Sequence, residues 1–378
     1  MSGWRRARRG GLALVLLSGL LAHSAWGNPY YDPGKAHHTP TGFRNNYIEA
    51  VAKPLSDLLR WKWEAMRADV PKPPDAPTPV VAPDLALIRG YQRAVLASGA
   101  ASPPALTWIG HATLLVQANG LNVLTDPMFS ERASPVQMVG PKRAQAPGVA
   151  LDDLPPIDVV IVSHNHYDHL DRASVVALDL KAKRDGHATL FLVPLGLKPW
   201  LAKLGITNVV ELDWWQHHTV QDAEFHLTPV QHWSARGLGD QSETLWGGWA
   251  VLGANLHWYF GGDAGYSLDF ADTRRHFTHR QDQALGGGFD LALLPIGGYE
   301  PRWFMRTQHV NPDEALQTHH DLGAKRSIGM HWGTFTLTDE SLDQAPKDLA
   351  LARAARGVDE AAFSVMKIGE TRQVPARK

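Results

Sequence analysis

One stretch of this sequence, IDVVIVSHNHYDHLD, constrains the fold more than any other part. Ile157–Val162 is apolar except for Asp158, which indicates a short buried strand rather than a surface segment. A helix is expected to start around Asp168 or Leu170, because apolar residues then recur at helical spacing. Four side chains that can bind a metal lie between the two elements: His164, His166, Asp168 and His169. The sequence therefore predicts a strand-turn-helix unit whose turn is built for metal binding.

The spacing H-x-H-x-D-H suits two neighbouring ions better than one. Side chains two positions apart on an extended segment project the same way, so His164 and His166 can share an ion. Asp168 and His169 lie where the chain turns and can face a second ion. A single His is more often a surface or hydrogen-bonded residue, but four such groups directly after a hydrophobic strand indicate a metal site.

The composition is that of an ordinary globular protein. The chain has 378 residues, 44% of them hydrophobic and 20% charged, which allows one large domain or two smaller ones. Its formal net charge of −1 lacks the basic footprint of a nucleic-acid binder, so we expect no nucleic-acid partner. There is no cysteine, so any metal must be held by nitrogen and oxygen, and the 19 histidines favour zinc or a similar ion.

Residues 1–27 have the three parts of a secretory signal peptide. Gly11–Leu21 is the apolar part, which is short for a transmembrane helix, and Ala25 and Gly27 are small residues at the cleavage positions. We expect an exported protein, periplasmic or associated with a membrane in a bacterium, with an uncleaved N-terminal anchor as the alternative. Residues 1–10, which precede this apolar part, contain no acidic residue and four arginines: Arg5, Arg6, Arg8 and Arg9.

Residues 28–103 are predicted to form an N-terminal extension that packs on a core domain of residues 104–378. A helix is expected after Pro54, because Leu55, Leu58, Leu59, Trp63 and Met66 recur at helical spacing. Six prolines between positions 71 and 83 then indicate a stiff, extended linker, followed by a second helix over residues 84–96. His37 and His38 are interpreted as packing or surface residues.

The core is predicted to contain a duplicated unit. Residues 105–127 are expected to form two strands joined at Asn119–Gly120, a strong hairpin signal, before the strand at Ile157. The pattern recurs as a hairpin that ends at Asp263, followed by an apolar strand from Phe289. Two β-rich halves facing one another with helices outside make an αββα sandwich, an α/β (α+β) fold with its site along one edge.

Three further residues end predicted strands in the second half: His232, Asp263 and His331. Each alone is weak, but together with the turn they complete a set of seven ligands. We expect His164, His166 and His232 to hold one ion, and Asp168, His169 and His331 to hold the other. A carboxylate can offer one oxygen to each cation, so Asp263 is expected to bridge them.

Longer strings carry a resemblance to a known family. They include HATLLV, LTDPMFSERASPVQMVGPKR, LPPIDVVIVSHNHYDHLD, VPLGLKPW, ELDWW, QHWSARG, PIGGYEPRWFM, QHVNPDEA and HWGTF. With the ligand pattern they resemble the metallo-β-lactamase superfamily and, more specifically, its N-acylphosphatidylethanolamine-hydrolysing phospholipase D family. The resemblance runs from about residue 30 to residue 369 and covers all seven ligand positions.

The resemblance implies that residues 104–378 are a metallo-β-lactamase-fold hydrolase with two Zn²⁺ ions. Its substrate would be a phospholipid diester, cleaved to phosphatidic acid and an N-acylethanolamine. We expect a water that bridges the ions to be the nucleophile, oriented by Asp168 or Asp263. His309 is a candidate proton donor or phosphate contact, Arg302 can pair with a phosphate, and His319 is a weaker candidate.

Two other functions stay open on the sequence. The same ions can activate water against a lactone, a β-lactam or another ester, and a non-catalytic binding module could keep the fold, although no ligand is missing. A flavodiiron oxidoreductase is disfavoured, because His166 stands where such proteins have a Glu. Most of the fourteen Trp residues are expected to be core or packing residues, while some could line an apolar channel or lie at a lipid interface. Peripheral contact with a membrane and a homodimer are therefore left open.

Overall fold

The computed structural model describes residues 27–49, 51, 53–98, 102–237, 239–281 and 287–377. The predicted signal peptide lies outside these residues except for Gly27. Among the residues described, no helix combines the length and the apolar character needed to cross a bilayer.

The described residues form sixteen strands, eight α-helices and two 3-10 helices, Leu151–Asp153 and Thr278–Arg280. The strands are β1 (His38–Thr39), β2 (Gly42–Phe43), β3 (Ala105–Gly110), β4 (Thr113–Ala118), β5 (Leu121–Thr125), β6 (Val159–Ile161), β7 (Leu190–Pro194), β8 (Val209–Leu212), β9 (His217–Val220), β10 (Ala223–Thr228), β11 (Gly248–Leu252), β12 (His257–Phe260), β13 (Leu291–Pro295), β14 (Ser327–Met330), β15 (Phe363–Val365) and β16 (Thr371–Gln373). The helices are α1 (Leu55–Ala68), α2 (Leu85–Ser98), α3 (Arg172–Arg184), α4 (Lys198–Ala202), α5 (Asp269–Phe277), α6 (Arg302–Met305), α7 (Pro312–Asp321) and α8 (Gln344–Arg356).

Two seven-stranded sheets repeat one plan. The first has the order β16-β3-β4-β5-β6-β7-β8 and the second β15-β14-β13-β12-β11-β10-β9. In the first, the strands from β16 to β5 pair antiparallel and those from β5 to β8 pair parallel. In the second, β9 to β12 pair antiparallel and β12 to β15 pair parallel. The predicted duplication is therefore confirmed: in each half, four antiparallel strands are followed by three strands that pair in parallel.

The sheets face one another across an apolar core, with helices on their outer faces. Leu114 and Val159 of the first sheet share this core with Trp249 and Tyr259 of the second. On the other side of the first sheet, alternate residues such as Leu115 pack with side chains of α2 and α3. Helices α5, α7 and α8 contribute apolar residues to the second sheet, such as Phe270, Leu316 and Leu349. The αββα sandwich is confirmed.

The predicted strand over residues 105–118 is broken in two at His111. Gly110 and His111 have φ values of 136° and 55°, and this turn separates β3 from β4. The His111 amide donates to Thr334 Oγ1 at 2.9 Å, and its carbonyl accepts from the Trp108 indole at 3.0 Å. The hairpin at Asn119–Gly120 is confirmed between β4 and β5.

Helix α3 begins later than the expected start around Asp168 or Leu170. Its N-cap is Asp171, whose carboxylate accepts hydrogen bonds from the amides of Ala173 and Ser174. Residues before this cap stay outside the helix, and the turn that carries the predicted ligands is correspondingly longer.

Helix α1 is present as predicted, but its apolar face points outward. Trp61 and Ala65 are buried against Phe304 and Met305 of α6, and the Trp61 indole donates to Asp339 at 2.8 Å. The residues whose spacing predicted the helix form instead an exposed face that we call the α1 apolar face: Leu55, Leu58, Leu59, Trp63 and Met66.

Residues 28–103, where described, lie against the core. In the predicted Pro-rich linker, Thr78 Oγ1 donates to the Gly333 carbonyl at 2.6 Å, and the Val81 amide donates to the Ile368 carbonyl at 2.8 Å. This segment therefore runs beside the loop that follows β14.

Candidate metal centre

The turn after β6 brings its four predicted ligands to one place. The amides of His169 and Leu170 both donate to the His166 carbonyl, at 3.1 and 2.9 Å. This tight turn folds the chain back, so that the ring centroids of His164 and His169 are 4.2 Å apart. His164 and His169 are buried.

Three histidines converge on the first side of the site. His164 Nε2 lies 2.8 Å from His166 Nδ1, which lies 3.4 Å from His232 Nε2. The Oδ2 atom of Asp263 lies 3.9 Å from both Nε2 atoms. These four residues, which we call the first cluster, offer ligand atoms that all lie within 4.8 Å of one another.

The other predicted ligands form a second cluster beside it. Asp168 Oδ2 lies 3.4 Å from the Nε2 atoms of His169 and His331. His111 Nε2 joins this cluster 2.9 Å from the same oxygen. The ligand atoms that His111, Asp168, His169 and His331 offer all lie within 4.8 Å of one another.

Asp263 faces both clusters. Besides its first-cluster contacts, its Oδ2 lies 3.1 Å from His169 Nε2 and its Oδ1 lies 3.1 Å from His331 Nε2. Gly262, with φ of 57°, directly precedes Asp263. A Cβ atom on Gly262 would lie only 2.6 Å from Ser163 Cβ. Only a glycine therefore lets the two halves approach this closely, and the close approach places the Asp263 carboxylate between the two clusters.

The backbone around the second cluster is strained. His111 and His331 both have φ near +60°, a left-handed conformation that costs a non-glycine residue about 1–3 kcal/mol. The His331 amide donates to the His111 carbonyl at 3.1 Å, so the two strained residues support each other. Strain of this kind is characteristic of functional sites.

Asp126 is a site residue that sequence reasoning did not assign. Its Oδ2 lies 2.6 Å from His169 Nδ1, and its two oxygens also accept from the amide and hydroxyl of Ser163. A carboxylate on the far nitrogen of a histidine directs the other nitrogen toward a metal. Asp126 follows the hairpin of β4 and β5 as Asp263 follows the hairpin of β11 and β12. This shared position was the sequence signal that could have identified Asp126 as a site residue.

The first cluster is set up to offer neutral imidazoles. Burial lowers the pKa of His164 and His232 well below the ordinary value and the pKa of His166 to about 4. Neutral imidazoles carry the lone pair that a metal needs.

The second cluster is charged in the metal-free protein. Burial opposes protonation of His331, but Asp263 and Asp168 outweigh it and raise its pKa to about 9. The same carboxylates raise the pKa of His169 well above its ordinary value against the effect of burial. Burial likewise opposes ionisation of Asp168 and Asp263, but the histidines hold both pKa values well below the ordinary one.

The donor set fits a pair of metal ions. His169 Nε2, His331 Nε2 and Asp263 Oδ1 are buried and make no well-formed hydrogen bond within the described part of the chain. Unsatisfied buried polar atoms are costly and rare. Here they lie close together beside the carboxylates of Asp168 and Asp263. Nitrogen and oxygen donors in this number suit zinc or a similar divalent ion.

His309 lies at the open side of the site. Its Nδ1 is 3.9 Å from Asp263 Oδ2, and its side chain is 14% exposed, like that of Asp168, against 1–2% for His232, Asp263 and His331. Burial lowers its pKa to about 4, so the ring is neutral near pH 7. Of its two predicted roles, a neutral ring is better suited to a hydrogen bond with a phosphate oxygen than to proton donation.

Arg302 and His319 are engaged within the protein. The Arg302 guanidinium donates to the carbonyls of Tyr299 and His309 at 3.2 and 2.9 Å and to Glu314 at 2.7 Å. These bonds indicate that Arg302 positions the loop of His309, and they leave little of its guanidinium for the predicted phosphate contact. His319 hydrogen-bonds with Ser327 Oγ at 2.8 Å and packs on Phe363.

His37 and His38 lie in a separate buried group. Their Nε2 atoms lie 2.7 and 3.0 Å from the two oxygens of Asp213, and Lys35 Nζ lies 2.5 Å from one of them. The lysine already neutralises this carboxylate, so the group acts as an ion-pair anchor. This agrees with the packing role expected from the sequence.

Comparison with known proteins supports this account of the fold. A family described as "Beta-lactamase superfamily domain" matches residues 121–332, which include all seven predicted ligands. An isothiocyanate hydrolase from Delia radicum gut bacteria has a similar structure, with a TM-score of 0.56 and 21% sequence identity. The match covers 72% of this chain and 100% of that one.

Two relatives are considerably closer in sequence. An N-acyl-phosphatidylethanolamine-hydrolyzing phospholipase D 1 from Caenorhabditis elegans is 39% identical over 279 residues, which cover 70% of this chain and 74% of that protein. A mitochondrial N-acyl-phosphatidylethanolamine-hydrolyzing phospholipase D from Saccharomyces cerevisiae is 37% identical over 248 residues, which cover 64% of this chain and 50% of that protein.

Proposed function

This chain belongs to the metallo-β-lactamase superfamily, in the family of the N-acyl-phosphatidylethanolamine-hydrolyzing phospholipases D, and we propose that it hydrolyses a phospholipid phosphodiester. It is a metal-dependent hydrolase of that superfamily. The substrate we propose is N-acylphosphatidylethanolamine or a related phospholipid, with phosphatidic acid and an N-acylethanolamine as products. The observation that carries the proposal is the pair of buried clusters that share Asp263.

The charge of the site suits an anionic diester. The seven proposed ligands include five histidines and only two carboxylates, Asp168 and Asp263, so the site stays positive with two divalent ions. When bound, two zinc ions would supply water activation and neutralise charge on the phosphate. The chain itself contributes rigid donors, because the proposed ligand side chains are held by buried partners such as Asp126 and Gln308.

His309 is proposed as the residue that contacts the substrate phosphate. It stands between the buried ligands and the solvent, and its carbonyl is held by Arg302. Gly298 faces it at φ of 83°, and a Cβ atom there would lie 3.3 Å from His309 Nδ1 and 3.4 Å from His331 Cε1. The absence of a side chain at this position keeps the space beside both rings open to a substrate.

The α1 apolar face supports a substrate that lies in a membrane. Leu55, Leu59, Trp63 and Met66 are 52–72% exposed, and successive members lie about one helical turn apart on one side of α1. The buried side of α1 packs on α6, since the rings of Trp61 and Phe304 are 4.9 Å apart. Because α6 leads directly to the loop of His309, docking of this face on a phospholipid bilayer would bring the membrane near the site.

A direct assay tests the proposed function. The purified protein should contain about two zinc ions per chain and release an N-acylethanolamine from N-acylphosphatidylethanolamine in mixed micelles. A simple aryl phosphodiester, a lactone and a β-lactam are assayed in parallel. Robust turnover of the lactone or the β-lactam without cleavage of either diester would overturn the proposal.

The matched variant for this assay is Asp263→Asn. Loss of the bridging carboxylate removes several kcal/mol of charge stabilisation at the centre, so activity should fall by about 100-fold or more. Metal content should also fall. Near-normal activity and metal content in this variant would refute the bridging assignment.

A further inference from the structure

The side chain of Asn45 satisfies the whole backbone of His232. Asn45 Nδ2 donates to the His232 carbonyl at 2.9 Å, and Asn45 Oδ1 accepts from the His232 amide at 2.9 Å. Asn45 is only 8% exposed, so these bonds are shielded from water. A side-chain amide here takes the place of a neighbouring strand, whose peptide groups would normally pair with this residue.

His232 depends on this support because it lies outside the sheet. Strand β10 ends at Thr228, and His232 follows in a segment without regular structure. Its ring is fixed by one further bond, from Nδ1 to the Gln308 carbonyl at 2.9 Å, which leaves Nε2 facing the first cluster. Its position is thus set by Asn45 on the backbone and by Gln308 on the ring.

Asn45 belongs to a segment, residues 28–47, that we call the N-terminal strap. Near Asn45 the Phe43 amide donates to the Ser242 carbonyl at 2.8 Å, and Phe43 is buried. Gly42 passes so close that a Cβ atom would lie 2.2 Å from Ser242 O. The strap is therefore fixed to the second half immediately before Asn45.

The other end of the strap is held to the first half. Lys35, His37 and His38 surround the buried carboxylate of Asp213, which follows β8. The Tyr30 hydroxyl also donates to Glu211 at 3.1 Å. A strap fixed at both ends can hold Asn45 rigidly against His232.

We propose that Asn45 is a positioning residue of the metal centre and that the N-terminal strap is needed for the first cluster to retain its ion. Without Asn45, two buried backbone groups of His232 lose their partners and the segment must shift to find others. His232 Nε2 then leaves its place beside His164 and His166, while the second cluster keeps its own supports in Asp126 and His111. This inference rests on the metal centre of the proposed function, but not on its substrate.

The test compares metal retention in three variants of the full chain. Asn45→Ala removes both bonds, and Asn45→Asp keeps the acceptor for the His232 amide but loses the donor. Asn46→Ala is the matched control, because the neighbouring asparagine is exposed and bonds to Asp269 instead. Each protein is loaded with zinc, dialysed against graded concentrations of a chelator and analysed for zinc per chain, with folding followed by circular dichroism.

We expect Asn45→Ala to stay folded and to lose one of its two ions at about 10- to 100-fold lower chelator concentration than the wild type, as is usual when an outer partner of a ligand is removed. Asn45→Asp should be intermediate and Asn46→Ala unchanged. In cobalt-substituted protein, the absorption of one of the two sites should change in Asn45→Ala.

Two results would overturn the inference. In the first, Asn45→Ala retains both ions as well as the wild type does; in the second, it loses both ions at the same chelator concentration. If Asn45→Ala does not fold, Asn45→Asp decides by the same measurement. A wild type that binds no metal would instead refute the metal centre itself, so the two failures are distinguishable.

Discussion

The carboxylate oxygen Oδ2 of Asp126 lies 2.6 Å from His169 Nδ1, and both side chains are fully buried. The contact fixes which nitrogen of His169 faces Asp263 and Asp168. We predict that Asp126→Asn weakens zinc binding in the second cluster about 10- to 100-fold, because an amide has one neutral acceptor oxygen where both carboxylate oxygens of Asp126 accept hydrogen bonds. Zinc titration of the apoprotein against a chromophoric chelator measures this.

The control for Asp126→Asn is Asp158→Asn. Asp158 directly precedes β6, at the end of this strand that lies away from the ligands. Asp158 accepts from the Asn122 amide at 2.7 Å and bonds no proposed ligand. It should leave zinc affinity unchanged. Equal zinc affinity in wild type and Asp126→Asn would show that His169 does not depend on this carboxylate.

Metal uptake by the apoprotein should rise with pH. The pKa of His331 is raised to about 9, so this ring holds a proton at pH 7 that a metal must displace, and the pKa of His169 is shifted in the same direction. For each proton displaced, affinity should increase about tenfold per pH unit from pH 6 to pH 9. Calorimetry in buffers of different ionisation enthalpy counts the protons released, and pH-independent binding without proton release would contradict the prediction.

The α1 apolar face should control binding to vesicles. In Leu59→Asp/Trp63→Asp, loss of two apolar contacts of about 1.5–3 kcal/mol each should weaken binding to phosphatidylethanolamine–phosphatidylglycerol vesicles at least about tenfold. Activity on a water-soluble diester should not change. Co-sedimentation measures the binding.

Leu180→Asp is the control for this double variant. Leu180 on α3 is 59% exposed, against 61% for Leu59, so it matches in exposure but lies on the helix that covers the first sheet. Equal loss of vesicle binding in both proteins would assign the effect to general hydrophobicity rather than to the α1 apolar face.

Asp213 should stabilise the fold in a pH-dependent way. Burial opposes its ionisation, but hydrogen bonds from His37 and Lys35 hold its pKa well below the usual 3.8. A carboxyl group whose folded-state pKa is depressed contributes stability above its unfolded pKa and loses that contribution as pH falls toward the folded one. We predict that Asp213→Asn lowers the free energy of unfolding at pH 7 by about 1.5–3 kcal/mol, as for the loss of hydrogen bonds to a charged group, because Lys35 is 36% exposed and stays solvated.

Urea unfolding at pH 7, 5 and 3 tests this prediction. The difference between wild type and Asp213→Asn should be smaller at pH 3 than at pH 7. Asp222→Asn, an exposed aspartate in the turn between β9 and β10, should have little effect at any of these pH values. A difference that grows toward pH 3 would contradict the ion-pair account.

The regular parts of the fold and the candidate site followed from local patterns. The hairpin at Asn119–Gly120, the apolar strand before His164 and the matching pattern before Asp263 each depend on neighbours in sequence, which periodicity and turn chemistry report. The αββα arrangement then followed from their repetition. The seven predicted ligands are close together because the loops that carry them, after β6, β10, β12 and β14, meet at one edge of the sandwich.

What the sequence could not predict depends on distant contacts. Asn45 lies in a Pro- and Asn-rich segment with no local signal, and its partner His232 is 187 residues away. The helix α1 was predicted from its apolar stripe, but periodicity reports only that one face is apolar, not which face meets water. The buried face of α1 is fixed by the hydrogen bond from the Trp61 indole to Asp339, a residue 278 positions away in the sequence.

Neither half of the sandwich carries a complete ligand set. The first contributes the turn after β6, and the second contributes His232, Asp263 and His331 from three separate loops. The registry between the sheets is therefore itself a determinant of metal affinity, and it is held by contacts such as the bond from the Trp249 indole to the Val162 carbonyl at 2.9 Å. Substitutions deep in the core can thus lower metal affinity without changing any residue that binds an ion.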